Sequence, residues 1–121
     1  MTKKILIVED DPVARQIMQV LLKSKYQVFV SGDAMAGLSE VRNRKPDLII
    51  LDLGLPAGGG LSVLQRVKAI PALSTIPVLV VSGLDRSENE PKALAAGAEA
   101  YLQKTPTNEQ LLEKIHELIG E

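Results

Sequence analysis

The stretch "DLIILDLGLP", Asp47 to Pro56, sets four consecutive apolar residues, Leu48 to Leu51, directly against the carboxylate of Asp52. A short, continuous, β-branched-rich run reads as a strand covered on both faces, as in parallel sheets. Similar runs recur at "ILIV" (Ile5 to Val8), "VFV" (Val28 to Val30), "VLVV" (Val78 to Val81) and "AYLQ" (Ala100 to Gln103). A carboxylate buried at the end of such a run is costly without a partner, so Asp52 needs company from elsewhere in the chain.

Between the runs the apolar spacing turns helical. Val13, Ile17 and Leu21 share one face of a first helix, with Asp11 as its cap and Pro12 at its first position. Leu38 and Val41 mark a second helix, and Leu64, Val67 and Ile70 a third. A short fourth helix is expected around Lys92 to Ala96, because Pro91 suits a helix start and Gly97 a helix end. The last helix opens on the capping-box spacing Thr107 to Gln110 and carries a wide stripe of Leu111, Leu112, Ile115, Leu118 and Ile119. Five alternations of strand and helix predict an α/β domain with a parallel sheet covered on both sides.

With 121 residues the chain has the size of one domain, and residues 1–121 are read as such. The 14 basic and 15 acidic residues form no block and give a net charge of -1, which argues against direct nucleic-acid or membrane binding. No cysteine is present, so disulfides and thiolate metal sites are excluded. In "MTKKILIVEDD" four apolar residues separate the lysines from the acids, far short of a signal peptide or a membrane span. A soluble cytoplasmic protein is the expectation.

In an open parallel sheet the residues just after each strand gather on one rim, and for the order 2-1-3-4-5 the crevice opens between strands 1 and 3. The rim residues here are Glu9, Asp10 and Asp11 after the first run, Asp52 after the third, Ser82 after the fourth and Lys104 after the fifth. Carboxylates facing one crevice repel unless a cation sits among them, and an all-oxygen set favours a hard ion, magnesium above all. A carboxylate can also attack phosphorus to give an acyl phosphate, with a hydroxyl and a lysine on the phosphoryl oxygens. The set is that of a phosphoacceptor site. Asp11 fits better as the helix cap, and His116, in the last turns of the final helix, is given no catalytic role.

"ILIVEDDPVAR", "DLIILDLGLP", "VLVVSG" and "AGAEAYLQK", in that order and over essentially the whole chain, resemble the receiver domain of two-component response regulators, in its single-domain, chemotaxis-regulator-like form. The resemblance implies a flavodoxin-like (βα)5 three-layer sandwich with a five-stranded sheet. It implies Asp52 as phosphoacceptor, Glu9 and Asp10 as the magnesium pair with Asp52, and the Gly54 carbonyl as a further ligand. Ser82 would move toward the phosphoryl group, Lys104 would contact it, and Tyr101 would change rotamer with Ser82. A histidine kinase or histidine phosphotransfer protein would be the donor. A downstream effector protein would meet the face made by the fourth helix, fifth strand and fifth helix.

Three departures stand out. The residue after Lys104 is Thr105 in "KTPT", where the family has proline after a cis bond, so either the Lys104–Thr105 bond is cis or the lysine approaches by another route. Gly59 replaces a frequent acid and leaves "PAGGG" with three glycines, a turn expected to be mobile and lacking the lysine and hydroxyl of a phosphate-binding loop. Gly54 and Leu84 offer no acid or amide to position an attacking water, which predicts an acyl phosphate that is not unusually short-lived. The main rival is a phosphorylation-independent interaction module on the same fold. A magnesium phosphohydrolase is disfavoured because Gly54 stands where a second acid would act, and a nucleotide-binding fold because no glycine-rich turn follows the first strand.

Overall fold

The structure is a computed structural model and describes residues 2–120. Strands β1 (Lys4–Val8), β2 (Gln27–Ser31), β3 (Leu48–Leu51), β4 (Val78–Ser82) and β5 (Ala100–Gln103) alternate with helices α1 (Pro12–Leu22), α2 (Ala34–Arg44), α3 (Gly59–Ala69), α4 (Arg86–Ala95) and α5 (Asn108–Ile119). The sheet is wholly parallel, in the order β2-β1-β3-β4-β5, a flavodoxin-like arrangement. Val8 pairs with Leu51, Leu51 with Val80 and Ser82 with Gln103, so the strands end almost level.

The two-residue period of the strands divides the core in two. Leu6, Val8, Ile49, Leu51, Val78 and Val80 face α2, α3 and α4, where Val41, Leu64, Val67 and Ala93 are fully buried. Ile5, Ile7, Leu48, Ile50, Leu79 and Val81 face α1 and α5 through Leu22, Leu111 and Ile115. The central strands are therefore buried on both sides, as their continuous apolar runs predict. β2 and β5 are only partly covered because they lie at the sheet edges.

Local signals set the helix ends. Asp11 Oδ1 accepts from the Val13 N–H at 3.1 Å, and Thr107 and Gln110 form both halves of the capping box. α4 differs from expectation. It begins at Arg86 and carries Pro91 in its interior. Asp85 caps it by accepting from the Ser87 N–H at 3.2 Å, and Arg86 pairs with Glu90 at 2.9 Å one turn on. Pro91 and Ser87, whose carbonyl the absent N–H would have bonded, are both exposed, a place where an unpaired carbonyl costs little. α3 ends at Ala69, leaving Ile70 as its extended C-cap.

α1 also differs. Its buried contacts come from Leu22 and the partly covered Met18 and Leu21, whereas Val13 and Ile17, expected to face inward, are 64% and 59% exposed, with Val20 at 56%. The helix has more apolar residues than one buried face can use, and the surplus forms an outer stripe.

The glycine-rich segment forms a turn and the start of α3. Pro56–Gly58 makes a 3-10 turn with Ala57 and Gly58 at positive φ, and Gly59 and Gly60 already belong to α3. A Cβ on Gly60 would stand 2.4 Å from the Asp52 carbonyl oxygen and 2.5 Å from Leu53 Cα. Only glycine lets α3 start this close to the Asp52 segment.

Candidate functional site

The strand ladders run one step beyond the strands and place the rim. The Glu9 N–H donates to the Ser31 carbonyl at 3.0 Å, that of Asp52 to the Val8 carbonyl at 3.1 Å and that of Lys104 to the Ser82 carbonyl at 2.8 Å. Glu9 and Asp52 are buried at 1% and 7% exposure, whereas Asp10 is exposed. Carboxylate oxygens of Glu9, Asp10 and Asp52 all lie within 4.8 Å of one another. Three acids this close in a mostly dry cleft fit a hard divalent cation: the donors are all oxygen, and one side is open to water.

Lys104 answers part of that charge. Its Nζ donates to Asp52 Oδ2 at 3.1 Å and also to Glu9 Oε1. Asp52 Oδ1 accepts from the Gly54 N–H at 2.8 Å, and Glu9 Oε2 from the Asp11 N–H at 3.3 Å. Burial, then a hydrogen bond shared with the Asp52 carboxyl, push Glu9 up to about 7 against the pull of Lys104. Partial burial lowers Lys104, but its hydrogen bonds to Glu9 and Asp52 outweigh that and hold it above the ordinary lysine value. One ammonium does not neutralise the cleft.

The remaining rim residues frame Asp52. Ser82 is fully buried, and its Oγ accepts from the Leu84 N–H at 3.1 Å, which leaves its own proton free. Beside it, a Cβ on Gly83 would meet nothing closer than Lys104 Cδ at 3.8 Å, so the approach is open there. A Cβ on Gly54 would sit 3.2 Å from Asp52 Oδ1, so any side chain at that position would crowd this carboxylate. Tyr101 is buried at 4% exposure, its hydroxyl has no protein partner, and the Arg86 guanidinium lies 6.0 Å from its ring centroid. The Lys104–Thr105 peptide is cis, one of the two expected routes for the lysine.

Glu9, Asp10, Asp52 and Lys104 thus converge, with Ser82 on the neighbouring strand end and Asp11 serving as helix cap. Two features escaped the sequence reading. One is the outer stripe of α1, which lines a groove of about 270 Å³ reaching from Val13, Ile17 and Leu21 to Lys104 and Thr105. Its signal was the excess of apolar residues in one short helix. The other is Arg15, whose Nη1 donates to the Glu9 carbonyl at 3.0 Å. A side chain bonded to main chain leaves no residue pattern.

The response regulator receiver domain matches residues 5–116. KdpE of Escherichia coli, a KDP operon transcriptional regulatory protein, is 40% identical over 101 residues, 83% of this chain and 44% of KdpE. The polar-differentiation response regulator DivK of Brucella abortus is 30% identical over 122 residues, 100% of this chain and 99% of DivK. A CheY-like response regulator receiver domain protein from Methanospirillum hungatei superposes with a TM-score of 0.91 at 30% identity, over 99% of this chain and 95% of that one. The chain spans less than half the length of some curated relatives and nearly all of others.

Proposed function

Because the chain belongs to the response regulator receiver domain family of two-component systems, we propose that it takes a phosphoryl group from a partner's phosphohistidine onto Asp52 and signals through a change in partner binding. A carboxylate oxygen of Asp52 forms the new O–P bond as the P–N bond breaks, and the imidazole departs with the bonding pair and takes up a proton. The observation that carries this reading is the convergence of Lys104 on Asp52 and Glu9 within a cluster of three carboxylates.

Glu9, Asp10, Asp52 and the Gly54 carbonyl are the residues that would hold magnesium, whose chemistry here is to offset charge between an anionic carboxylate and an anionic phosphoryl group. Lys104 transfers one of its hydrogen bonds to a phosphoryl oxygen, and the free Ser82 proton serves another. Ser82 is drawn toward the new group, and Tyr101, whose buried hydroxyl lacks a partner, responds to its movement. The effector reads this on the face of α4, β5 and α5; Leu94 of α4 is exposed. The histidine donor docks on the outer stripe of α1, which runs into the cleft beside Lys104. Receivers are not enzymes in the ordinary sense: the group transferred ends on the chain itself.

Gly54 and Leu84 offer no acid or amide to hold a water in line with the acyl phosphate, so the modified form is not unusually short-lived; rapid loss of label from Asp52 would count against this. For the phosphorylation-independent interaction module, Thr105 and the glycine loop are the only hints in the sequence. Lys104 reaches Asp52 with Thr105 in place, so that departure does not favour it. The test is incubation with magnesium and acetyl phosphate, read as intact mass. A gain of one phosphoryl group, dependent on magnesium and absent in Asp52→Ala, is expected. No gain under conditions that modify another receiver would refute the reading.

A further inference from the structure

α1 exposes Val13 and Ile17 but half-buries Arg15, whose side chain returns to the end of β1. Arg15 Nη1 donates to the Glu9 carbonyl at 3.0 Å. It fills a slot beside Gly32 so closely that a Cβ there would lie 2.9 Å from the same nitrogen. On its other side Glu9 donates its N–H to the Ser31 carbonyl at 3.0 Å. Both main-chain groups of Glu9 are therefore held, one by β2 and one by a side chain from α1. The carbonyl that Arg15 holds belongs to the peptide joining Glu9 to Asp10. Its orientation sets the direction in which both carboxylates leave the backbone.

We propose that Arg15 is a positioning residue for the divalent cation, acting through the Glu9–Asp10 peptide and seated by the bare backbone of Gly32. The proposal rests on the reading of this cleft as a magnesium site. Partners one step removed from a metal's ligands commonly matter about 10-fold to 100-fold in affinity, because they fix ligand direction.

Charge and positioning make opposite predictions. A guanidinium near the cleft repels a divalent cation, so on charge alone its removal tightens binding. If Arg15 positions the ligands, its removal weakens binding. Isothermal titration of magnesium into the full chain separates the two, with amide NMR spectra of each metal-free variant reporting the fold. Arg15→Met is expected to weaken binding about 10-fold, and Gly32→Val, which keeps the positive charge but obstructs its slot, to weaken it in the same direction. Binding in Arg15→Met as tight as in the parent, or tighter, overturns the proposal. A loss in Arg15→Met that Gly32→Val does not share traces to side-chain packing and overturns it as well. Failure of the parent chain to bind magnesium at all would instead overturn the functional reading on which the proposal rests.

Discussion

Lys68 and Lys104 are both largely covered lysines that meet carboxylates across strand ends, yet they leave their surroundings in different states. Lys68 Nζ donates to both oxygens of Glu99, at 3.0 and 2.9 Å, and to the carbonyls of Ser74 and Ile76 at 3.2 and 2.8 Å. Glu99 accepts in addition from the Val78 N–H at 2.7 Å. One cation, one anion and their spare hydrogen-bonding capacity close on themselves, and they clip the turn before β4 to the turn before β5. Lys104 faces Glu9 and Asp52, with Asp10 beside them. Its cleft keeps an excess of negative charge, and Glu9 is pushed up to about 7 as a result of burial and the nearby Asp52. A closed pair serves stability, whereas an open one leaves unbalanced charge, which the proposed magnesium ion would offset.

The largest effect should separate the two lysines. Lys68→Met leaves two carbonyls without their donor and Glu99 with the Val78 N–H but no cation, and is expected to cost about 2 to 3 kcal/mol in urea unfolding, towards the low side because Glu99 is partly exposed. Magnesium affinity should not change. Lys104→Met should cost less, about 1 kcal/mol at neutral pH, because Glu9 can take up a proton and so limits the repulsion. Saturating magnesium should restore that loss, since the ion replaces the missing charge. Equal costs for the two variants, or a Lys104→Met loss that magnesium does not repair, would erase the contrast.

A smaller effect concerns pH. The folded-state value of Glu9 lies above the ordinary 4.5, so between about 4.5 and about 7 the folded state binds more protons than the unfolded one. In chelator, this group's contribution is fully present below 4.5 and is lost as pH rises through about 7. Glu9→Gln should flatten that decline in a series of denaturant titrations. A parent chain whose stability rises over the same window, with Glu9→Gln unchanged, would contradict the assignment.

How much of this could be read in the sequence depends on what each residue contacts. The strands were legible because central parallel strands are covered on both faces and read as unbroken apolar runs. Once their order is given, Glu9, Asp52, Ser82 and Lys104 fall on one rim. The buried side of α1 was not, since apolar residues lie on both its inner and outer faces and periodicity cannot tell the core face from the exposed stripe. The first turn of α4 was not legible either, because Pro91 signals a helix start by itself but is tolerated inside a helix at an exposed position. Arg15 acts through a main-chain carbonyl and Lys68 through two, and such contacts depend on tertiary approach alone.

The central claim is that the Asp52 carboxylate is kept for chemistry at the expense of stability. Unfolding of the parent chain and of Asp52→Asn, each in chelator and in saturating magnesium at pH 8, tests it most directly. The account predicts that in chelator the asparagine variant is the more stable by about 1 kcal/mol, because one of the crowded carboxylates is gone. It also predicts that magnesium stabilises the parent far more than the variant. An asparagine variant less stable than the parent in chelator, gaining equally from magnesium, would show Asp52 to be a structural partner of Lys104 and contradict the account.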